Sequence, residues 1–464
     1  MWSNLLAART QMGTSLGFHI IFAALGVGLP LALCVAEGLA LWNSDGTWMA
    51  LAHQWARAFT FLFAIGAVSG AIIEFELALL WPTFIKYSGA IIGLPFALEG
   101  FAFFLEGIFL GIYLYGARRL SPLVHWLSSL VIVLSGLSSA WFVVSANSWM
   151  NTPAGFHIAH GKITGIDPYA AMLNPSTPYE TAHMILACYV VAGFGIASVY
   201  AMGMLRGKRD AYHRKGLLLG MAIGTAAIPF QILTGDFNAR QIETVQPPKY
   251  AAMEGLLHSG YGRPLYIGGF VDTRAGKVLY ALVIPHGESL LAHFNLNSFS
   301  IGLDRIPKSE WPANIPFIHL AFDGMVFCSF YMLAIGVLFM LPFIRRQFFL
   351  SQPRIPERRW LLGLAVLTGP AAILAMELGW MVTEFGRQPW IIYKLLLTKN
   401  AVTPAMWMNV TFLVFACIYV LLGITLIILL LQLARRPKPP QVWPELVRGA
   451  STAGSQAREG ATER

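Results

Sequence analysis

Nine apolar runs of about twenty residues or more recur along this chain, each long enough to carry an α-helix across the ~30 Å hydrocarbon core of a bilayer. They fall at about 13–42, 53–81, 91–116, 123–147, 179–205, 216–234, 315–344, 360–384 and 406–433. Hydrophobic residues make up 56% of the 464 and charged residues only 12%. The chain is therefore read as an all-α membrane protein with about nine transmembrane helices in a bundle. Residues 1–234 carry helices 1–6, 235–314 form an outer loop, 315–433 carry helices 7–9 and 434–464 form a tail.

Basic residues orient the bundle. Arg118 and Arg119, the Arg206 to Lys215 cluster, Arg345 through Arg359, and Arg435 to Lys438 fall on alternate connections that share one side. An excess of Lys and Arg marks the cytoplasmic side, which puts the N-terminus outside and the C-terminus inside. The net charge of +9 follows from these loops. No interleaved basic and aromatic motif accompanies it, so no nucleic-acid partner is expected. The first apolar run is too long for a secretory leader and has no small-residue cleavage site, so it reads as a span. Beyond about Pro437 the tail is rich in Pro, Ala, Ser and Gly and is expected to be disordered in the cytoplasm. Cys34, Cys188, Cys328 and Cys417 stand singly in apolar segments, form no C-x-x-C or C-x-x-C-H pattern, and read as packing residues.

Two outer connections differ from the rest. Residues 148–178 are rich in Asn, Pro and Gly and are expected to form an interfacial cap anchored by Trp149. Residues 235–314 are polar and include an expected hairpin whose strands flank Thr273-Arg274-Ala275-Gly276. A loop this long usually has a function.

Lipid makes ionisable groups expensive, so His19, Glu99, Glu106, His183, Met325 and Glu384 within apolar segments need a role. With the topology above, His19, Glu99, Glu74, His183 and Glu384 converge near the outer face. Met325 lies about 15 Å deep, on a level that His183 could face. A His/Met pair can hold a haem iron with no open position, a state suited to electron transfer, although an isolated membrane Met is ordinarily core and His183 is equally able to bond across helices. Glu99 and Glu106 are seven apart and share a helix face, which fits a proton relay as well as it fits a bond between helices made by protonated acids. Glu377, Trp380, Glu384 and Arg387 follow one stripe. There Arg387 could pair with Glu384 or with an anionic cofactor group.

Three local strings are more specific than any single side chain. They are Glu384-Phe385-Gly386-Arg387-Gln388-Pro389-Trp390 after Gly379-Trp380, Gln246-Pro247-Pro248-Lys249-Tyr250-Ala251-Ala252-Met253-Glu254, and Asn147-Ser148-Trp149-Met150. Together they resemble subunit I of cytochrome bd-type quinol oxidases, and the resemblance covers the chain from Arg9 to about the ninth span. It implies a haem-binding bundle in the bacterial cytoplasmic (inner) membrane that oxidises quinol at the periplasmic face. It further implies reduction of dioxygen to water with protons from the cytoplasm, which generates proton motive force. The implied cofactors are a low-spin haem b, a high-spin haem b and a haem d or a further haem b in its place, without copper. The implied partners are oxidase subunit II, ubiquinol or menaquinol, dioxygen and the lipid bilayer, with room for a small single-helix accessory subunit.

By the same resemblance His183 and Met325 are the axial ligands of the low-spin haem. His19 and Glu384 hold the two high-spin haems, Trp380 and Arg387 belong to the cofactor surroundings, and Glu99 lies beside the oxygen-reducing haem. Glu106, with Glu74, delivers protons, and Lys249 and Glu254 are tied to quinol oxidation. Apart from the resemblance, a Lys/Glu pair on a mobile outer loop could position quinol hydroxyls and take up protons, or it could be a surface ion pair of little energy. Two departures stand out. Asp323 occupies the place, two residues before Met325, where well-known members carry Arg, and the outer loop has the shorter length of the group that includes the cyanide-insensitive oxidases.

Other classes explain less. A haem-copper oxidase needs several His within spans, whereas His157, His160, His258, His286 and His293 lie in outer loops. A proton-coupled transporter would use buried carboxylates but predicts midplane sites and repeat symmetry, and neither is visible. A di-haem anchor that never meets oxygen would leave Glu384 unexplained.

Overall fold

The computed structural model describes residues 3–117, 119–160, 162–349, 356–405 and 407–435. Nine long helices among these are apolar enough to cross a membrane. In chain order they and the short helices are α1 (Asn4–Asn43), α2 (Gly46–Leu80), α3 (Pro82–Gly116), α4 (Pro122–Asn151), α5 (Pro168–Met172), α6 (Thr177–Leu205), α7 (Ala211–Val245), α8 (Pro247–Met253), α9 (Gly287–His293), α10 (Ile315–Phe349), α11 (Arg359–Gly386), α12 (Thr398–Ala401) and α13 (Met408–Arg435). Ser3, Asp45, Ser121 and Asp210 start α1, α2, α4 and α7 by accepting a first-turn amide hydrogen on a side-chain oxygen.

The helices pack as neighbours in sequence and around two hubs. α6 lies against α7 and α11, and α1 touches α2, α4, α6 and α13. Small residues allow the closest crossing: a Cβ added at Gly193 would fall 2.4 Å from the Gly224 nitrogen. The largest core runs through α1, α2, α6, α7, α10 and α11. A second core closes the outer end of α1 to α4, and a third joins α8 and α10 to the outer segment.

The two outer connections carry short antiparallel pairs. β1 (His157–Ala159) pairs with β2 (Lys162–Thr164), and β3 (Gly260–Tyr261), β4 (Leu265–Ile267) and β5 (Phe270–Asp272) are followed by β6 (Lys277–Leu279), β7 (Leu282–Ile284) and β8 (Phe299–Ser300). β4 pairs with β7 and β3 with β8. The expected hairpin is present: Asp272 faces Lys277 across β5 and β6, and its Oδ1 accepts the amides of Arg274 and Ala275.

Three expectations are revised. The sixth span ends near residue 234 by hydropathy, yet α7 continues to Val245. Its last turns pack Ala239 and Ile242 under the outer segment rather than against lipid, and Asp236 pairs with Arg240 at 2.7 Å. Trp149 anchors the 148–178 cap from inside rather than at the membrane interface: it is fully buried, donates its indole hydrogen to the Ala154 carbonyl and packs on Phe156. Cys34, Cys188 and Cys328 are buried as packing residues, whereas Cys417 is exposed on α13. The tail beyond Arg435 and Arg118 lie outside the described residues.

Candidate functional site

The three specific strings meet at one amide. Asn151, the last residue of α4 and 1% exposed, accepts on Oδ1 from Gln246 Nε2 at 3.2 Å, Lys249 Nζ at 3.3 Å and Arg387 Nη1 at 3.2 Å. Its Nδ2 donates to Glu180 Oε1 at 2.8 Å. Two basic groups thus converge on a neutral oxygen, and their countercharges stand one step away. Arg387 Nη2 bonds Glu384 Oε2, and Glu384 Oε1 accepts from Asn147 Nδ2 at 3.0 Å. Asn147 and Asn151 are four apart, so one turn of α4 presents both amides to the end of α11. Gly386 makes room for this: a Cβ there would lie 2.6 Å from Lys249 Cγ.

Lys249 and Glu254 are not a surface ion pair. Both are buried, on and just after α8, because α8 is a packed helix rather than a mobile loop. Burial pulls the Lys249 ammonium down to about 8, with Arg387 pushing the same way and Glu180 and Glu384 opposing. Burial pushes the Glu254 carboxyl up to about 8, helped by the negative charges of Glu288, Asp323 and Glu243. Tyr250, between them, donates to Glu288 Oε1 at 3.0 Å, and Ser300 Oγ donates to Glu288 Oε2 at 2.7 Å. Asp323 accepts the Gly268 amide at 2.6 Å, which fastens the outer segment to α10.

Deeper in the bundle, His183 on α6 has Gln231 Nε2 at 3.0 and 3.3 Å from its ring nitrogens and Thr234 Oγ1 at 3.4 Å. Met325 comes from α10. Both α6 and α10 pack on α7 and α11 but hardly touch each other, which leaves His183 and Met325 on opposite walls of a four-helix arrangement. Glycines line that space: a Cβ at Gly235 would lie 3.1 Å from His183 Cε1, and one at Gly379 3.0 Å from Met325 Sδ. A flat macrocycle gripped between an imidazole and a thioether fits this donor set. The Nε atoms of Arg387 and Trp390 (Nε1) are buried donors without a partner, and so fit the carboxylates such a group carries.

His19 on α1 shares a 2.9 Å hydrogen bond with Ser69 on α2, and Gly70 keeps space beside its ring. Glu377, on the Trp380/Glu384 stripe, keeps Oε1 buried without a partner. On α3, Glu99 accepts from Ser139 of α4 at 3.1 Å. Glu106 is 5% exposed, and its Oε1 is buried without a hydrogen bond, 3.5 Å from where a Gly136 Cβ would stand. The two acids share the face expected of them. Glu74 is exposed on α2, within electrostatic range of Glu99.

Asn147, Asn151, Glu180 and Gln246 complete the site without having been singled out as site residues. Only the strings containing Asn147 and Gln246 pointed to two of them; Glu180 carries no local signal.

A sequence profile of the family described as cytochrome bd terminal oxidase subunit I matches residues 7–438. The chain is 37% identical over 440 residues to the putative cytochrome bd menaquinol oxidase subunit I of Bacillus subtilis (strain 168), covering 93% of this chain and 97% of that one. It is 26% identical to the cytochrome bd-II ubiquinol oxidase subunit 1 of Escherichia coli (strain K12), covering 86% and 90%. Its fold superposes on the bd oxidase of Geobacillus thermodenitrificans with a TM-score of 0.87 at 34% identity, over 94% of this chain and 99% of that chain. The chain therefore belongs to the cytochrome bd terminal oxidase subunit I family, the membrane-spanning, haem-bearing quinol oxidases of respiratory chains.

Proposed function

We propose that this subunit oxidises quinol at the outer end of α4, α8 and α11 and delivers the electrons inward for reduction of dioxygen to water. The observation that carries this reading is the convergence of Lys249, Arg387 and Gln246 on Asn151 Oδ1. It holds a buried ammonium that titrates near the working pH range, and the end of the same helix carries a buried carboxyl that does the same. Each quinol releases two protons and two electrons. Glu254, once deprotonated, accepts a hydroxyl proton, while Lys249 and Tyr250 orient the ring oxygens.

His183 and Met325 would hold a low-spin haem b, and His19 and Glu384 two high-spin haems, one b and the other d or b, with Trp380 and Arg387 beside them. Bound there, these groups supply one-electron transfer and, at the high-spin sites, oxygen reduction. Glu106 and Glu99 hold and pass protons along one face of α3, with Glu74 at its edge, from the cytoplasmic side toward the outer half of the membrane. The orientation is N-terminus periplasmic and C-terminus cytoplasmic in a bacterial inner membrane, from the basic loops. The working complex contains oxidase subunit II, accommodates a small single-helix subunit, and uses ubiquinol or menaquinol.

Met325→Leu keeps the side-chain volume and removes the thioether. The low-spin band in the reduced-minus-oxidised spectrum is expected to vanish, together with quinol oxidation, while the protein still assembles. An unchanged spectrum refutes the ligand assignment.

A further inference from the structure

Below Glu106 lies a buried polar cluster that none of the roles above uses. Glu37 on α1 and His125 on α4 are both fully buried, with His125 Nδ1 2.6 Å from Glu37 Oε1. His125 Nε2 is 2.9 Å from the Tyr113 carbonyl of α3, and the two rings lie against each other tilted by 38°, with centroids 4.3 Å apart. In the orientation proposed above, α1 and α3 run inward and α2 and α4 outward. Glu37, six residues before the end of α1, then lies about 9 Å from its cytoplasmic end. His125 is three residues inside α4 and Tyr113 three residues before the end of α3.

The hydrogen-bond pattern fixes where protons sit. A carbonyl oxygen only accepts, so His125 Nε2 carries a hydrogen. Nδ1 and Glu37 Oε1 cannot face each other at 2.6 Å as two lone pairs, so one proton lies between them. The pair is then neutral overall, either as imidazolium and carboxylate or as imidazole and acid. Glu37 Oε2 is buried, and the neighbour it turns to is the equally buried Tyr113 hydroxyl. A carboxyl oxygen and a phenol buried together against a shared-proton pair require a reason. His53 and Arg57 on α2 and Cys34 on α1 complete the titratable surroundings.

Tyr113 is seven residues from Glu106, which is seven from Glu99, so the three project from one face of α3 at steps of about 10 Å. That face turns toward α4, where Gly136 and Ser139 meet the two carboxyls. We infer that Glu37, His125 and Tyr113 form the cytoplasmic loading station for protons bound for Glu106. A proton from the cytoplasm adds at Glu37 Oε2 and leaves the pair with one positive charge, held as imidazolium beside a neutral acid. The Tyr113 hydroxyl then accepts that proton while giving up its own to water, which carries it the remaining distance to Glu106, and the pair returns to its neutral state. Nothing is oxidised or reduced. The inference rests on Glu106 being part of the proton route.

The test uses the assembled oxidase with both subunits and its haems, fully reduced and mixed with oxygen in weakly buffered medium containing a pH indicator dye. Glu37→Gln is expected to leave the visible haem spectrum intact, slow proton uptake roughly tenfold and raise the solvent isotope effect on that phase. Glu106→Gln, run alongside, is expected to slow it at least as much. Uptake at the parent rate in Glu37→Gln but not in Glu106→Gln overturns the loading station and leaves the role of Glu106 standing. Uptake at the parent rate in both removes Glu106 from the route as well. Should Glu37→Gln fail to assemble, Tyr113→Phe decides, since it keeps the ring against His125 and deletes only the hydroxyl. Uptake about threefold slower with a larger isotope effect supports the inference, and an unaltered rate and isotope effect overturn it.

Discussion

At the outer end of the bundle, Asn151, Arg387, Glu384, Asn147 and Lys249 bond one another across three helices and a loop, and both oxygens of Glu384 have partners. At the inner end, among the described residues, Glu106 keeps a buried oxygen with no partner, and Glu37 Oε2 and the Tyr113 hydroxyl turn only to each other. The carboxylates at the two ends are thus held in opposite ways. A carboxylate bonded at both oxygens in a cross-linked network is fixed in geometry, because every departure breaks several bonds at once, even though Asn147 Oδ1, Gln246 Oε1 and Arg387 Nε in that network have no partner. An under-bonded row of acids leaves lone pairs to which a travelling proton can add. The difference suits a region that must orient a substrate in one place and a region that must pass a small ion through it.

The sharpest way to break this comparison is to remove a member of the outer cross-linked network. Arg387 is 2% exposed and binds both Glu384 and Asn151, so Arg387→Met leaves a mostly buried carboxylate without its cation. Losses from breaking fully buried pairs reach about 3–5 kcal/mol, and the partial exposure of Glu384 puts this one below that range. A clear drop in melting temperature of the purified complex is expected, together with loss of part of the high-spin haem absorption. A variant that melts like the parent would mean that the outer network is less tightly coupled than its geometry implies.

Next in size is Lys249→Met, which retains the stem packed along Gly386 and deletes the charge. Quinol oxidation is expected to fall roughly a hundredfold, with the haem spectrum and the oxygen reaction of the pre-reduced enzyme unchanged. The same groups set a pH profile. Glu254, with its carboxyl raised to about 8, is largely protonated at pH 7 and becomes a base as pH rises through 8. Lys249, lowered to about 8, loses its charge over the same interval. The rate of quinol oxidation is therefore expected to climb toward pH 8 and to decline above it. In Lys249→Met the alkaline decline disappears while the acid limb stays. A profile flat from pH 6 to 9 in the parent would remove both groups from the proton-releasing step.

Much of this was legible in the chain because it is local. Nine hydropathic runs locate the spanning helices, the three-residue step from Glu384 to Arg387 anticipates their bond, and the seven-residue step from Glu99 to Glu106 anticipates their common face. Tyr113 continues the same step, but a phenol attracts no attention where carboxylates are sought. What stayed hidden depends on helices meeting. Glu37 and His125 are 88 residues apart, and neither has a neighbour in sequence that hints at the other. Asn151 became an acceptor for two basic groups only because α8 and α11 end beside α4. The end of α7 was misjudged for a related reason: its polar residues cover protein rather than lipid, and hydropathy cannot tell those two surroundings apart.

The smallest expected effect tests the row of acids on α3 at Glu99, its member farthest from the cytoplasm. Ser139 donates the hydrogen bond to Glu99 seen at 3.1 Å, and Ser139→Ala removes that donor with little change of volume. One hydrogen bond contributes about 0.5–1.5 kcal/mol, and a row of acids already tolerating unpartnered oxygens has no further partners to disturb. Turnover at saturating quinol is therefore expected to drop less than about tenfold, with haem content and melting temperature unchanged. A loss as deep as that of Glu106→Gln would show that Glu99 depends on one fixed partner as strictly as Glu384 does. The inner row would then be a second rigid network, and the contrast between orienting a substrate and passing a proton would no longer follow from how the two ends are bonded.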